Sequence, residues 1–440
     1  MENSKMISVG IFFDGTGNNG FNATSGRKPE RNNESYYSGI TNVYKLFNLF
    51  EGDQKIYIEG IGTVTGAGDS NFAMATCKNP VGYVGYSSDD KLARAFYFVQ
   101  ELMKDRSKEY QFYVYGFSRG AMLARNFCYE LLKPESRILG NVTVKFLGVF
   151  DTVESTPFNN YDTNLLPRIE NAIHLCAVNE CRYFFPLTGF FEESKNTDDT
   201  KTETDTSVWK EIFVPGAHAD IGGGYLEGPQ SVYISPNFMR TKDVETYIGN
   251  IRNTMRDAGG NKIWFHLLKG YKIDSGDVFS QAYMARKKVY HDLSKVYGKL
   301  LLLESNRVQQ VFGTGFTNAD FAIDERAHPF LVSFSNDLEK YVIDLDPELK
   351  PAYRYEEFES YTHISANFGL YDNRVLLESK NGIDVELINN GLNVPSHKTV
   401  DTIHPNLSSN IHILEDGSVT DFAYGANVPN NDIWDRSILI

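Results

Sequence analysis

The sequence predicts an α/β protein with a mostly parallel sheet and helices on both faces of that sheet. Apolar strand-like runs alternate with amphipathic helical runs through the first half, which is the pattern of a parallel sheet. The composition is 41% hydrophobic and 23% charged, as in ordinary globular proteins. At 440 residues the chain is long enough for one large domain with insertions, or for two domains.

The alternation begins with MISVGIFF, a β-branched and aromatic run that predicts a strand. Apolar spacing and turn residues then predict the following elements. They are a helix over 40–50, a strand over 54–63, a helix over 89–105, a strand that runs into a turn over 111–120, a helix over 121–133, a strand over 142–153, and a strand followed by a loop over 211–225.

Two regions depart from this alternation. Residues 192–207 are rich in Thr and charge, which predicts a surface loop. Residues 237–312 have a helical pattern throughout, which predicts a helical insertion or cap over 236–315 between an α/β core (1–235) and a C-terminal α+β part (316–440). In that last part, Asn381-Gly382 and Asp416-Gly417 predict two β-hairpins.

The overall charge and cysteine content exclude several classes of protein. A formal net charge of −14 disfavours binding to nucleic acid. Four cysteines are too few for a disulfide framework, and Cys176 and Cys181 lack the second pair that a zinc site needs. We therefore expect reduced, mostly buried thiols, no metal and no cofactor.

The N-terminus lacks the basic and apolar regions of a signal peptide. No apolar run approaches the roughly 18 residues of a spanning helix. We expect a chain made in the cytoplasm that leaves its cell, if at all, by a route other than a signal peptide.

The first strand ends in a glycine-rich loop, in which Gly15, Gly17 and Gly20 match a dinucleotide-binding pattern. A dinucleotide site needs a helix that begins at the third glycine, whereas the residues after Gly20 are polar and show no helical periodicity before about residue 42. Asp14 would also repel a phosphate. The loop therefore predicts another role.

The stretch YVYGFSRGAML contains G-x-S-x-G between a predicted strand and a predicted helix. This context predicts a nucleophile elbow, in which small residues let strand and helix approach each other and Ser118 is exposed to substrate. The backbone N–H of Arg119 would stabilise an oxyanion. A second N–H would come from the glycine loop, at Gly15 or Thr16.

A nucleophilic serine needs an imidazole base and an orienting carboxylate. His218 follows a predicted strand, and Asp151 ends another strand at the carboxyl edge of the sheet, where ligand sites of open α/β sheets lie. The chain order of Ser118, Asp151 and His218 is that of the α/β-hydrolases. These three residues form the predicted catalytic triad.

Two alternatives stay open at this point. Asp220 is a second candidate for the acid, and it lies two residues from His218. His363 and His404 are later candidates for the base. Cap and loop roles are the structural alternatives for Asp151 and His218.

The motifs IFFDGTGNN, YGFSRGA, GVFDTV and PGAHADIGGGY, in this order, resemble the α/β-hydrolase lipases delivered by bacterial type VI secretion systems. The resemblance covers residues 9–225 and fades after about residue 230. It implies phospholipase activity, A1 or A2, on the membrane lipids of a competing cell, and a cognate immunity protein. It also implies delivery by the secretion apparatus to the periplasm or membrane surface of a target cell.

The expected function is therefore that of a serine phospholipase. A soluble carboxylesterase or thioesterase is the alternative within enzymes. A degenerate hydrolase kept as a binding or delivery module is the alternative outside them.

Overall fold

The structure is a computed structural model of the chain. It describes residues 6–27, 29, 33–134, 136, 142–191, 201–203, 208–236, 239–254, 263–275, 279–317, 319–368, 412–413, 419–420 and 427–439.

Fourteen strands lie within these ranges. They are β1 Met6–Phe13, β2 Gln54–Ile58, β3 Glu109–Phe117, β4 Val142–Phe150, β5 Asn171–Ala177, β6 Leu187–Thr188, β7 Lys201–Glu203, β8 Val208–Val214, β9 Gly228–Tyr233, β10 Lys272–Ser275, β11 Ser280–Val289, β12 His412–Ile413, β13 Val419–Thr420 and β14 Ile438–Leu439.

The described ranges also hold eleven α-helices and two short 3-10 helices. The α-helices are α1 Gly20–Thr24, α2 Asn42–Leu49, α3 Asn71–Thr76, α4 Ser88–Leu102, α5 Arg119–Leu132, α6 His218–Gly222, α7 Thr241–Arg252, α8 Ile263–Leu267, α9 Leu293–Val308, α10 Pro329–Asp344 and α11 Tyr355–Phe358. The 3-10 helices are Glu34–Tyr36 and Pro347–Leu349.

The central sheet has the strand order β2-β1-β3-β4-β5-β8-β7. Six of its strands are parallel, and β7 pairs antiparallel with β8 at one edge. The parallel strands are almost continuously buried, as expected for a sheet covered on both faces. Because the strands are parallel, the carboxyl ends of β1, β3, β4, β5 and β8 lie at one edge. The predicted fold class is confirmed.

Helices cover both faces of this sheet. The hydrophobic core on one face includes α4 and α5, and the core on the other face includes α2, α9 and α10. Side-chain caps begin several of the helices: the Thr41 hydroxyl accepts a hydrogen bond from the Tyr44 N–H, and the Ser87 hydroxyl accepts one from the Asp90 N–H. The short helix α6 is held near α2 and α9. Asn42 Nδ2 of α2 donates to the carbonyl of Ile221 in α6 and to the carbonyl of Ser294 in α9.

The interpretation of residues 237–312 as purely helical is wrong. Strands β9, β10 and β11 form a separate antiparallel sheet of order β10-β11-β9. In the first part of β11, buried and partly exposed residues alternate with the period of a strand, so its apolar residues do not form a helical stripe. Helix α9, also in this region, packs against β4 and β5 of the central sheet. The domain limits stay a prediction.

Other regions differ from the predictions or extend them. Strand β5 had no counterpart in the sequence interpretation, and β7 lies inside the predicted loop 192–207. Strands β12 and β13 pair antiparallel around Asp416-Gly417, as a hairpin requires. The hairpin predicted at Asn381-Gly382 lies outside the described residues. Within the described ranges, no helix combines the length and apolarity needed to span a bilayer.

Candidate active site

Ser118 forms the tight turn between β3 and α5. Its backbone has φ 60° and ψ −131°, a conformation that residues with a side chain rarely adopt. The neighbouring glycines make this turn possible. A Cβ at Gly116 would lie 2.6 Å from Ala121 Cα, and one at Gly120 would lie 2.2 Å from the carbonyl oxygen of Asp14. The strained turn and the close approach match the backbone of a nucleophile elbow.

The glycine loop after β1 lies against the start of α5. Within the loop, the Gly15 N–H donates to Asp14 Oδ1 at 2.8 Å, so this N–H is already engaged. The Thr16 hydroxyl is buried and has no hydrogen-bond partner within the described residues. Ser118 makes no side-chain cap to α5, so it leaves the N–H of Arg119 uncapped at the helix start. Of the predicted oxyanion donors, the Gly15 N–H is therefore engaged within the loop, whereas the Arg119 N–H is not capped by the Ser118 side chain.

His218 and Asp151 are in direct contact. His218 Nδ1 is 2.5 Å from Asp151 Oδ2, and both residues are buried. The Ser118 N–H donates to the carbonyl of Phe150, the residue before Asp151, and the Val153 N–H donates back to the Ser118 carbonyl. The three predicted triad residues are thus gathered at the carboxyl edge of the sheet.

The second nitrogen of His218 is free to accept a proton. His218 Nε2 is buried and has no hydrogen-bond partner within the described residues. The imidazole packs against the ring of Phe117, the residue before Ser118, with centroids 4.6 Å apart. A hydrogen bond at Nδ1 fixes the tautomer that leaves Nε2 as an acceptor, which is the arrangement a general base requires.

Arg436 is a residue of this site that the sequence interpretation missed. Its guanidinium donates to both oxygens of Asp151, from Nη1 to Oδ1 at 2.6 Å and from Nη2 to Oδ2 at 3.0 Å. The Ala177 N–H also donates to Asp151 Oδ1 at 2.7 Å. Asp151 is therefore held in one orientation by donors from β5 and from a segment far along the chain.

These contacts decide the charge states at the site. Burial opposes the ionisation of Asp151, but the charge of Arg436 and the hydrogen bond from His218 outweigh it and hold the pKa of this carboxyl well below its usual range. Burial lowers the pKa of His218 from its ordinary value, although Asp151 acts in the opposite direction. At neutral pH the acid is therefore ionised and the base is neutral.

The two alternative residues pair with each other. His363 Nδ1 is 2.6 Å from Asp220 Oδ1, and the His363 N–H donates to Asp220 Oδ2. Asp220 Oδ2 also accepts from the Ala217 N–H, so Asp220 caps the helix that carries His218. The Asp220 carboxylate is thus bound to His363, whereas His218 is bound to Asp151. His404 lies outside the described residues.

The sequence model of one family matches this chain. It is the type VI secretion phospholipase effector Tle1-like catalytic domain, matched over residues 8–134 and 133–242, which together exceed half of the chain. The chain belongs to this family. As a Tle1-like protein it is a type VI secretion phospholipase effector and a lipolytic hydrolase. The predicted family, fold class and enzyme class are confirmed.

A solved structure shares this fold. The Tle1 effector bound to the VgrG spike of a type VI secretion system is 20% identical over 99% of this chain and 94% of that chain, with a TM-score of 0.61. An uncharacterised protein from Pseudomonas aeruginosa is 17% identical over 80% of this chain and 52% of that chain, with a TM-score of 0.40. No curated protein sequence matches the chain.

In this Tle1-like effector, aromatic and charged side chains surround the imidazole of His218. The Phe185 ring lies edge-on to it, with centroids 5.0 Å apart. The Arg182 guanidinium stacks on the Phe185 ring at 3.4 Å and pairs with the buried Glu180. Glu180 Oε2 in turn accepts a hydrogen bond from the backbone N–H of His218 at 3.3 Å. These contacts fix the ring plane of the base from two sides.

The glycine loop of the effector differs from the sequence expectation in one respect. Gly20 does begin a helix, α1, but α1 is a single turn and its Gly20 N–H donates to the Tyr57 hydroxyl. The Asp14 carboxylate accepts from the hydroxyls of Thr41 and Tyr57. Burial raises the pKa of Asp14 to about 6, although the hydrogen bonds from Tyr57 and Thr41 act in the opposite direction. The loop is built around Asp14 rather than around a pyrophosphate.

One group in the effector has the composition of a metal site. His174, Cys176 and Glu211 offer ligand atoms within 4.8 Å of one another. However, His174 Nε2 accepts from the Thr152 N–H, and His174 Nδ1 is 2.9 Å from Glu211 Oε2. Both ring nitrogens are therefore engaged, and the group ties β5 to β8 and to the segment after Asp151. All four cysteines are buried, as predicted, and none of them forms a disulfide.

Proposed function

We propose that Ser118, His218 and Asp151 are the catalytic triad with which this effector hydrolyses carboxylic esters of membrane glycerophospholipids, as an A1- or A2-type enzyme. The observation that carries this proposal is the pairing of His218 Nδ1 with Asp151, with Nε2 left unpartnered beside the strained turn at Ser118. A histidine that is paired with a carboxylate at Nδ1 and open at Nε2, beside a strained turn that carries a serine, supports the Ser-His-Asp mechanism.

In the first half-reaction, Ser118 Oγ attacks the ester carbonyl carbon and His218 Nε2 takes the hydroxyl proton. The carbonyl oxygen becomes an oxyanion that accepts hydrogen bonds from the backbone N–H groups of Arg119 and Thr16. The tetrahedral intermediate then collapses and its C–O bond breaks. The imidazolium of His218 returns its proton to the departing alcohol, which is the lysophospholipid.

In the second half-reaction, water attacks the acyl-enzyme ester while His218 accepts one of the water protons. The second tetrahedral intermediate releases the fatty acid, and the proton passes back to Ser118 Oγ. Asp151 stays ionised throughout and stabilises the imidazolium, and Arg436 keeps Asp151 ionised. The products are one fatty acid and one lysophospholipid for each water consumed.

The test is fatty-acid release from vesicles of phosphatidylethanolamine and phosphatidylglycerol. Ser118→Ala should lower the rate by about 10⁴-fold or more, because the nucleophile is lost. Ser107→Ala, at an exposed turn where the hydroxyl bonds only to Asp105, is the matched control and should keep full activity. Analysis of the lysolipid then assigns the bond that is cleaved. Release by Ser118→Ala at the wild-type rate would refute the proposal, and cleavage of short-chain esters alone would make the protein an esterase.

We further propose an antibacterial role, with delivery to the periplasm or membrane surface of a target cell. Membership of the effector family supports this role. The solved Tle1 effector is bound to a VgrG spike, and this supports a secretion-apparatus partner for the present chain. A cognate immunity protein would protect the producing cell.

A further inference from the structure

Three segments at the carboxyl edge of the central sheet expose large apolar side chains. They come from α3 and the loop after it, from the loop after β4, and from the loop after β5. Val81 is 100% exposed and Val84 is 80% exposed, which is unusual for valine in a folded protein. We call the set the apolar rim; its members are Phe72, Val81, Tyr83, Val84, Phe158, Tyr183 and Phe184.

The segments that carry the apolar rim are linked by hydrogen bonds to Arg119, the residue after Ser118. Arg119 Nη1 donates to Cys77 Sγ at 3.3 Å and to the carbonyl of Ser155 at 3.4 Å. The Ser155 hydroxyl in turn donates to the carbonyl of Phe184 at 2.7 Å. One side chain next to Ser118 therefore contacts two of the three segments, and Ser155 links the third to them.

The loop with the most exposed side chains, residues 79–86, is held at both ends. Asn79 Oδ1 accepts from the N–H groups of Tyr86 and Ser87, each at 2.9 Å. Asn79 Nδ2 donates to Asp90 Oδ2 at 2.7 Å, and the same carboxylate accepts from the Gly85 N–H. These bonds close the loop, so Val81 and Val84 stay exposed without needing a partner to order the backbone.

The charge pattern of this loop differs from that of the chain. Residues 79–88 contain no Asp, Glu, Lys or Arg, although the whole chain carries a formal net charge of −14. A surface rich in carboxylates would be repelled by anionic lipids, and the uncharged loop is the part that can approach them without this penalty. Valine and tyrosine together suit the boundary between headgroups and acyl chains, where tyrosine presents an apolar ring and a polar tip.

We propose that the apolar rim docks the enzyme on the surface of a phospholipid bilayer, with Val81 and Val84 entering the headgroup–acyl boundary. This inference rests on the proposed function, because the segments that carry the rim are linked to Arg119, the residue after the proposed nucleophile. Docking would hold the mouth of the site against the lipid layer, so that a lipid moves only a short distance to reach Ser118. A small soluble ester does not need this step.

The binding experiment uses Ser118→Ala, so that the lipid stays intact, with vesicles of phosphatidylethanolamine and phosphatidylglycerol. Adding Val81→Asp and Val84→Asp should weaken co-sedimentation about tenfold or more, because two charges replace inserted apolar groups. Ile343→Asp with Leu349→Asp is the matched control. Those side chains are each 46% exposed, and the Ile343 carbonyl bonds Lys210 near the start of β8, at the opposite edge of the sheet. This control should bind like its parent.

The activity experiment uses the same substitutions in the wild-type background. Val81→Asp with Val84→Asp should lower hydrolysis of vesicles about tenfold or more and leave kcat/KM for a short-chain soluble ester within about twofold. An equal loss on both substrates would overturn the proposal, because it would place the loop in catalysis or stability rather than in docking. Unchanged thermal unfolding of the variant checks that it folds.

A reporter at the loop gives a direct reading. The native tryptophans Trp209, Trp264 and Trp434 are buried, so Val81→Trp introduces an exposed one. Its emission should shift to the blue on adding vesicles and be quenched by brominated lipid, whereas Leu349→Trp should not respond. No response at position 81, or binding of Val81→Asp with Val84→Asp equal to its parent, would overturn the docking proposal even if the enzyme hydrolyses phospholipid. If Val81→Asp with Val84→Asp lost binding to a secretion protein but kept binding to vesicles, the rim would be assigned to a protein partner. That result would also overturn the docking proposal.

Discussion

The molecule contains two buried histidine–carboxylate pairs that share one short helix. Helix α6 supplies the base of the pair His218–Asp151 and the acid of the pair His363–Asp220. In both pairs a carboxylate oxygen lies within hydrogen-bonding distance of the histidine Nδ1. In both pairs the histidine Nε2 has no hydrogen-bond partner within the described residues. The local chemistry of the two pairs is the same.

Their surroundings are different. His218 packs on Phe117, next to the strained Ser118, whereas His363 is fully buried and stacks on Tyr225 with centroids 4.2 Å apart. Asp151 is bound by Arg436, whereas Asp220 is bound by backbone N–H groups that hold α6 in place. The histidine–carboxylate contact alone therefore does not distinguish the proposed catalytic pair from the other one. Its position relative to a nucleophile and the counterion of its acid separate the two pairs.

The largest expected difference between the pairs is in their acids. Asp151→Asn should lower kcat for phospholipid about 10⁴-fold, because the amide no longer fixes the tautomer or stabilises the imidazolium. Asp220→Asn should lower kcat less than about tenfold and cost about 1–3 kcal/mol of stability through its lost hydrogen bonds. Turnover and chemical unfolding of both variants measure the two effects. A larger loss of kcat in Asp220→Asn would assign the acid to Asp220 instead.

The second difference is in the arginines. Arg436→Met should lower kcat/KM about 10- to 100-fold, as losses of partners that orient an active-site group do. It should also shift the acidic fall of activity to higher pH, because without the positive charge of Arg436 the Asp151–His218 pair gains a proton more easily. Arg436→Lys keeps the positive charge but loses the contact with both oxygens of Asp151, so its kcat/KM should lie between those of the wild type and Arg436→Met.

Arg286→Met is the matched control for this experiment. Arg286 is a largely buried arginine whose charge acts on Asp220, and it donates to the carbonyl of Thr362 next to His363. Its loss should reduce stability and leave the pH profile of activity in place. A pH profile unchanged by Arg436→Met would mean that Arg436 has a structural role only.

The smallest expected effect is in the pH profile itself. Activity needs neutral His218, and burial lowers its pKa below the ordinary value of 6.5, so the midpoint of the acidic fall in kcat/KM should lie below pH 6.5. Asp151 acts to raise this pKa, so Asp151→Asn should move the fall further toward acid. Asp220→Asn should not move it. A midpoint above pH 6.5 in the wild type would contradict the assignment of His218.

Most of the site was predictable because its signals are local. The elbow needs small residues within a few positions of Ser118, and Asp151 and His218 each follow an apolar strand, so short stretches of sequence carry the information. The pairing of Asp220 with His363 was not predictable in the same way. It depends on how α6 faces a segment 143 positions later.

Two other features show why sequence patterns failed elsewhere. Strand β5 has His174 at its centre, which interrupts the apolar pattern, and only the tertiary contacts with Thr152 and Glu211 satisfy that polar ring inside the core. Strand β11 contains the basic run Arg286–Lys288 near its end and is followed by a helix. The stretch that alternates with a period of two residues is therefore short, and the sequence pattern is easily mistaken for a helix.

Arg436 has no local signal, since the stretch DIWDRSILI around it contains no motif that points to a catalytic role. It meets Asp151 across 285 positions of sequence. During synthesis at ordinary rates, roughly 15 to 60 s separate the appearance of these two residues. A nascent chain that already contains Ser118, Asp151 and His218 therefore lacks the cation that keeps its acid charged. The full set of contacts around the proposed triad is therefore completed only when the end of the chain has been made, long after Ser118.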